Sequence, residues 1–478
     1  MIASRIAPPT PAAAASAARS GGPPLHKPDL LTRAAPGAWR TLSILVTLYL
    51  LSLLDRQILS LLILPIQADL QLTDTQLGAV QGLAFMAFYS VMGVTIGWAV
   101  DRYSRRWIVF IGVVIWSFST MACGLSHSFG QLFTARLGVG FGEAVLAPSA
   151  ASLMGALFPR DRLSLVNGIY NAAAGGGGLV AFSLGGLLTV WLQARGGISF
   201  PVVGHLQPWQ GVFFLTGLTG LPLSLLAFLM REQRNPTRAA TAPGPQTDSL
   251  AAFARRRGVL WACHAFGSGS LFMCAYAVIS WTPTFLGRRF GADPKTIGLV
   301  MGLSFGFCGA ISQIGWGYVI DRLFARGRQD IHYRIYRFLV PAMVVLSALA
   351  YTASNLLTSA ILICLLWLSM GMGALWAAPL LFTPPPLRAR VSAGVSLISG
   401  MMGIGLTPFL VGFVTDHIFH DRGQVGLSIT AFVAVCGAFG VALLAFAGPR
   451  LRTAIAEENP PIAAAVVTAP LALRARRG

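Results

Sequence analysis

The sequence predicts an all-α membrane protein, with twelve transmembrane helices in two pseudo-symmetric six-helix bundles. Three observations predict it. Charged residues make up 11% of the 478-residue chain and apolar ones 55%, where a soluble domain is about one quarter charged; the mean hydropathy is +0.68. The apolar residues fall in blocks of roughly 18 to 25, long enough to cross a hydrocarbon core of about 30 Å. The same charged device also closes the second apolar block of each half.

The elements follow in chain order. Residues 1–40 are rich in Ala and Pro, carry Arg5, Arg19, Lys27, Arg33 and Arg40, and hold no signal-peptide apolar run. They read as a disordered cytoplasmic N-terminal tail. An N-terminal bundle over 41–230 holds blocks at about 41–66, 78–100, 107–125, 132–158, 163–192 and 211–230. Residues 231–258 contain Pro236, Pro243, Gly244 and Pro245 and a cluster at Arg255, Arg256 and Arg257. They read as a flexible cytoplasmic linker with a surface helix near its end, its arginines resting on anionic lipid. A C-terminal bundle over 259–448 holds blocks at about 259–286, 297–320, 336–354, 356–381, 391–415 and 425–448. Helices 9 and 10 are parted by a tight turn near Asn355. Residues 449–478 read as a cytoplasmic C-terminal tail.

The charge of +19 does not point to nucleic acid, because the basic residues sit in loops between apolar blocks. With both termini in the cytoplasm, the cytoplasmic segments collect about 28 of the 35 basic residues. The opposite loops keep Arg195, Arg288, Arg289, Lys295 and Arg422, and Arg56 and Arg136 lie within helices. The loop at 287–296 is the exception to that asymmetry. The six cysteines all fall inside apolar blocks, with neither a disulfide framework nor metal-ligand spacing. No metal or cofactor is expected.

The repeated device reads Gly97-Trp-Ala-Val-Asp101-Arg102-Tyr-Ser104-Arg105-Arg106 after helix 2 and Gly317-Tyr-Val-Ile-Asp321-Arg322 after helix 8. The glycine permits close helix approach. The aspartate can cap its helix or pair across the interface between halves, and the arginines hold the loop at the membrane surface. Such a latch would stabilise an outward-open state and break in the inward-open one.

Two acids lie deep in apolar blocks: Asp55 in helix 1, beside Arg56, and Glu143 in helix 4, seven residues after Arg136. A charge there costs at least about 2.5–3.5 kcal/mol, so each needs a partner or a wet cavity. Sharing partners requires helices 1 and 4 to meet, with Gly138, Gly140 and Gly142 allowing the approach. Two readings follow: Asp55 and Glu143 titrate and couple transport to protons, or all four groups form a fixed ion-pair network. Arg56 and Arg136 suit a carboxylate or phosphate on a substrate. Further cavity candidates are Gln81, Tyr170, Asn171, Tyr276, Gln313 and His264, with Trp281 as a membrane-belt residue at the end of helix 7.

The doubled motif resembles the signature of the major facilitator superfamily (MFS), glycine-x-x-x-aspartate-arginine-x-glycine-arginine-arginine, with Ser104 where the family favours glycine. The Asp55-Arg56 pair, the stretch from Arg136 through Gly142-Glu143-Ala144, and Ile279-Ser-Trp-Thr-Pro283 together resemble the Spinster-like branch. The Asp55-Arg56 pair is also similar to the anion:cation symporters. The resemblance implies the MFS fold and proton-linked, alternating-access transport of an organic anion or an amphipathic lipid such as a lysophospholipid. It implies Asp55 and Glu143 as the protonation pair, Arg56 as the cavity cation and Arg136 as its support. It also implies a monomer in a bacterial inner membrane whose partners are a small-molecule substrate, protons and membrane lipid. Superfamily antiporters carry a glycine-proline motif in helix 5; here Gly175–Gly178 and Gly185-Gly186 stand without a proline, as close packing or a bend would require. The alternatives are gradient-independent uniport and a non-transporting sensor or enzyme. An enzyme would need a clustered nucleophile and base, and a sensor a sizeable soluble output domain.

Overall fold

A computed structural model of the chain describes residues 34–159, 162–201, 203–232 and 250–458. It is nearly all-helical. Among the described residues, twelve helices are long and apolar enough to cross a membrane. In the first half these are α1 (Ala38–Leu70), α2 (Asp74–Val100), α3 (Arg105–Gly124), α4 (Phe129–Leu157), α5 (Leu165–Gln193) and α6 (Pro208–Leu229). In the second half they are α7 (Leu250–Phe290), α8 (Pro294–Ala325), α9 (Ile331–Thr352), α10 (Leu356–Phe382), α11 (Arg390–Phe419) and α12 (Arg422–Glu458). Between α5 and α6 a small hairpin pairs β1 (Ile198–Phe200) with β2 (Gly204–Leu206).

Local chemistry sets the helix starts. Thr73 and Gln76 form a capping box for α2, Ser128 caps α4, and Asp293 caps α8 with Pro294 in its first turn. Asn355 caps α10 through the Thr358 amide at 2.9 Å, so the tight turn before helix 10 stands where the sequence puts it. Each cap satisfies amides that have no partner inside their own helix.

The linker and the C-terminal tail depart from expectation. Residues 250–258 are the first turns of α7, not a separate surface helix. Arg257 does not rest on lipid. It pairs with Glu457 at 3.0 Å and Glu458 at 2.9 Å and donates to the Phe382 carbonyl. Those carboxylates belong to α12, so the first ten residues of the expected tail, 449–458, are helical and held against α7. Residues 1–33 and 459–478 of the tails and 233–249 of the linker lie outside the described residues.

The halves meet through three helix pairs: α5 with α8, α2 with α11, and α1 with α7. Glycines make those contacts close. A Cβ at Gly186 would strike the Pro294 carbonyl, one at Gly298 the Phe182 carbonyl, and one at Gly78 the Pro408 carbonyl. Gly177 and Gly185 seat α5 on Leu53 and Ile58 of α1, and Gly178 seats it on Phe305 of α8. Gly177, Gly178, Gly185 and Gly186 therefore serve packing, while a Cβ at Gly176 would meet nothing within 4 Å. At the other end, Cβ atoms at Gly97 and Gly317 would meet nothing within 4 Å. The two motif glycines pack no neighbour here, contrary to the close approach expected of them. The close contacts between the halves gather at the end holding Asp74, which they close, while the motif glycines at the open end meet no neighbour.

Candidate functional site

The embedded charges sit where the closed region ends. Arg56 and Gln57 of α1, Gln81 and Phe85 of α2, Arg136 of α4, Tyr276 and Ser280 of α7 and Pro408 of α11 line a pocket of about 30 Å³. Both halves contribute. Gln81 crosses between them, donating to the Ser280 carbonyl at 3.4 Å.

Helix phase decides what each charge meets. Arg56 reaches α4 and pairs through Nε with Glu143 Oε2 at 2.6 Å. Ser52, one turn earlier on the same face, donates to that oxygen at 2.6 Å. The Arg56 guanidinium also lies over the rings of Phe85 and Tyr89, at 4.7 and 5.1 Å from their centres, an arrangement that favours a cation. Asp55 is about 100° further round the helix and points to α3, where Thr120 donates to it at 3.3 Å. Arg136 donates to the backbone carbonyl of Asp55 at 3.4 Å. The expected four-way sharing is therefore split. Arg56, Glu143 and Ser52 form one group, Asp55 and Thr120 another, and Arg136 bonds to the backbone of Asp55.

The three glycines of α4 do not serve the approach to α1. A Cβ at Gly140 would strike the Phe85 carbonyl of α2, one at Gly142 the Trp116 amide of α3, and one at Gly138 the Ser119 hydroxyl of α3. They draw α4 onto α2 and α3, and this lets Glu143 reach Arg56 across the bundle.

Four buried polar atoms around the pocket have no hydrogen-bond partner among the described residues: Asp55 Oδ1, Glu143 Oε1, Gln81 Oε1 and Arg136 Nε. Buried polar groups are nearly always paired, so a cluster of orphans marks a place where a proton, a water or a solute completes the bonding.

The other candidates divide. Gln81 and Tyr276 line the pocket. Tyr170 is buried and stacks on Tyr49 at 4.8 Å, while Asn171 is exposed and bonds back to Asn167 within its own helix. Gln313 is exposed on α8. His264 is fully buried against Tyr333, 3.1 Å from its hydroxyl, away from the pocket. Trp281 is no belt residue: it is fully buried and donates to the Pro408 carbonyl of α11 at 3.0 Å. Of the latch residues, Arg102 covers the Trp98 ring at 4.2 Å, and Arg322 donates to Tyr318 at 2.9 Å. Asp321 is exposed, and the side chain of Asp101 lies outside what is described. Ser104, the departure from the family pattern, donates to Glu232 at 2.6 Å, whose other oxygen accepts the Arg105 amide at 2.7 Å.

Sequence reasoning missed Tyr49, Ser52, Phe85, Tyr89 and Thr120. Ser52 and Tyr49 stand four and seven residues before Arg56, a helical spacing that could have found them. It also missed the closed end. There Arg288 of α7 donates to both oxygens of the buried Asp74, at 2.7 and 2.6 Å, and to Gln67 at 2.8 Å. Asp416 of α11 accepts from the amide and hydroxyl of Thr75, each at 2.7 Å. Arg288 is thus an exception to the charge asymmetry because it is an interhelical partner and not a loop charge.

The family model of the Major Facilitator Superfamily matches residues 45–406. The chain belongs to the major facilitator superfamily. Among its superfamily relatives is an MFS-type efflux pump of Mycolicibacterium smegmatis, 27% identical over 440 residues, 88% of this chain and 95% of that protein. A probable L-galactonate transporter of Escherichia coli is 25% identical over 410 residues, 82% of this chain and 85% of that protein. Among solved structures, a bacterial homologue of the human lysosomal transporter Spinster, inward-facing and unoccupied, superposes with a TM-score of 0.70. It is 21% identical, and the match covers 88% of this chain and 98% of that one. The expected Spinster likeness is met in the fold, and this superfamily member is a multi-pass membrane transporter, not an enzyme.

Proposed function

We propose that this transporter carries an organic anion by alternating access, coupled to protons through Glu143 and Asp55. The observation that carries the reading is the Arg56–Glu143 pair beside a pocket shared by both halves. While Glu143 is ionised, its carboxylate occupies the Arg56 guanidinium. A proton on Glu143 cancels that charge and leaves Arg56 to a carboxylate or phosphate arriving in the pocket. Binding the anion and binding the proton then favour each other, which is the requirement for coupling. Arg136 and Gln81, each with an orphan polar atom, supply further bonds, and Tyr276 supplies a ring face. Asp55 is a second proton site, separated from the pocket by its own helix. The galactonate specificity in the name of one relative fits a carboxylate substrate; an amphipathic lipid such as a lysophospholipid is the other class the Spinster likeness suggests.

The charge asymmetry supports placing the open end, with both termini, on the cytoplasmic side of an inner membrane, with the Asp74–Arg288 end facing out. The repeated motif and the contacts between the halves support 41–230 and 259–448 as the two moving bodies, joined by 231–258, with Gly97, Asp101, Arg102, Arg105, Arg106, Gly317, Asp321 and Arg322 as the latch that closes when the outer end opens.

The test uses the full chain in sealed vesicles, screened with sugar acids, dicarboxylates and lysophospholipids under an imposed pH gradient. Glu143→Gln is expected to keep anion binding and gradient-free exchange while losing accumulation driven by the gradient. Arg56→Ala is expected to lose binding. Full gradient-driven accumulation in both variants would end the proposal.

A further inference from the structure

A second charged pocket lies outside the transport path, at the motif-loop end between α9 and α12. Its volume is about 280 Å³, and its walls include Arg334, Arg337 and Arg452 together with Asp330, Leu444 and Gly448. Three arginines face one carboxylate, and that carboxylate is only loosely engaged, 3.9 Å from Arg452. Neither Arg334 nor Arg337 has an ion-pair partner among the described residues.

The pocket has a polarity along the bundle axis. The arginines form its rim at the helix ends, and Leu444 and Ala445, two turns deeper along α12, form an apolar floor. On α9 the exposed positions continue from Arg334 and Arg337 through Phe338 to Val345, at helical spacing. Phe338 and Val345 are 70% and 57% exposed, as side chains facing acyl chains would be. Gly448 keeps the space open, because a Cβ there would meet nothing within 4 Å.

We infer that this pocket is a binding site for the headgroup of an anionic phospholipid, with the phosphodiester on Arg334, Arg337 and Arg452 and an acyl chain along Phe338 and Val345. Charge complementarity selects the anionic headgroup, since basic pockets between helix ends at the inner surface attract such lipids. The continuous apolar stripe selects a lipid over a free phosphate, which would gain nothing from it. The site is independent of the Arg56 pocket.

The experiment compares the full chain in detergent, titrated with phosphatidylglycerol, with phosphatidylcholine and with inorganic phosphate, reading retained lipid by native mass spectrometry and thermal stabilisation in parallel. Phosphatidylglycerol is expected to stay bound and stabilise the protein, with the other two giving no comparable effect. Each basic residue near an anionic surface contributes about a fivefold gain in affinity, so Arg334→Gln with Arg337→Gln is expected to weaken retention roughly 25-fold. Gly448→Leu fills the pocket while keeping every arginine, and is expected to abolish retention without changing the melting temperature of lipid-free protein. Equal stabilisation by phosphatidylcholine or by inorganic phosphate, or phosphatidylglycerol retention unchanged in Gly448→Leu, would overturn the inference.

Discussion

Replacing Arg288 by Ala should open the end of the bundle that is closed here. Asp74 is fully buried and holds three charge-assisted or amide bonds, two from Arg288 and one from Gln67 at 2.7 Å. Arg288 also donates to the Arg422 carbonyl at 2.9 Å, so it ties α7 to α1, α2 and the start of α12 together. Removing one partner of a buried ion pair costs about 3–5 kcal/mol, because the other charge is left without compensation. That cost falls on the closed arrangement alone, since opening this end returns Asp74 to water. At about 1.4 kcal/mol per tenfold, even the lower figure moves the equilibrium roughly 100-fold toward opening. Spin labels at Gln71 and Arg289, exposed positions in opposite halves, on a background with the native cysteines replaced, would report the change by pulsed electron resonance. The parent protein is expected to give one short distance and Arg288→Ala a dominant longer one. Asp74→Asn with Arg288→Gln keeps hydrogen-bonding groups without buried charge and is expected to fall between them. A short distance unchanged in folded Arg288→Ala protein would refute the reasoning.

Two further outcomes separate packing from mechanism. Gly97→Val is expected to leave the melting temperature within a degree or so of the parent, because a Cβ at that position meets nothing in this conformation; under the proposed latch role, transport in vesicles should nonetheless fall sharply, because the added bulk would block its closing. Gly140→Ala should do the reverse, costing about 3 kcal/mol of stability by forcing α4 off the Phe85 carbonyl. Its expected signature is a lowered melting temperature in detergent, with loss of the Arg56–Glu143 contact as the helices part.

Much of the fold was legible because a bilayer imposes length. An apolar block of the right size has few ways to satisfy its backbone other than as a spanning helix, so twelve helices could be counted before their neighbours were known. The embedded charges were legible for the same reason, each being costly in apolar surroundings. What went astray were statements about neighbours. Gly138, Gly140 and Gly142 were rightly read as close-contact residues and assigned to the wrong helix. Trp281, expected at the membrane surface, is fully buried in α7 against Pro408 of α11. Arg257, expected on lipid, instead pairs with two carboxylates of α12.

The amino-acid sequence alone determined the number of spans, the internal repeat, the charge asymmetry between the two ends and the identity of the four embedded charged residues. Tertiary structure alone decided that Arg56 takes Glu143 while Asp55 turns to Thr120, and that Asp74 closes on Arg288. The reason is physical. Helical periodicity fixes which residues share a face, but in a membrane the lipid-facing and protein-facing sides of a helix are equally apolar, so the direction each face points is set by packing.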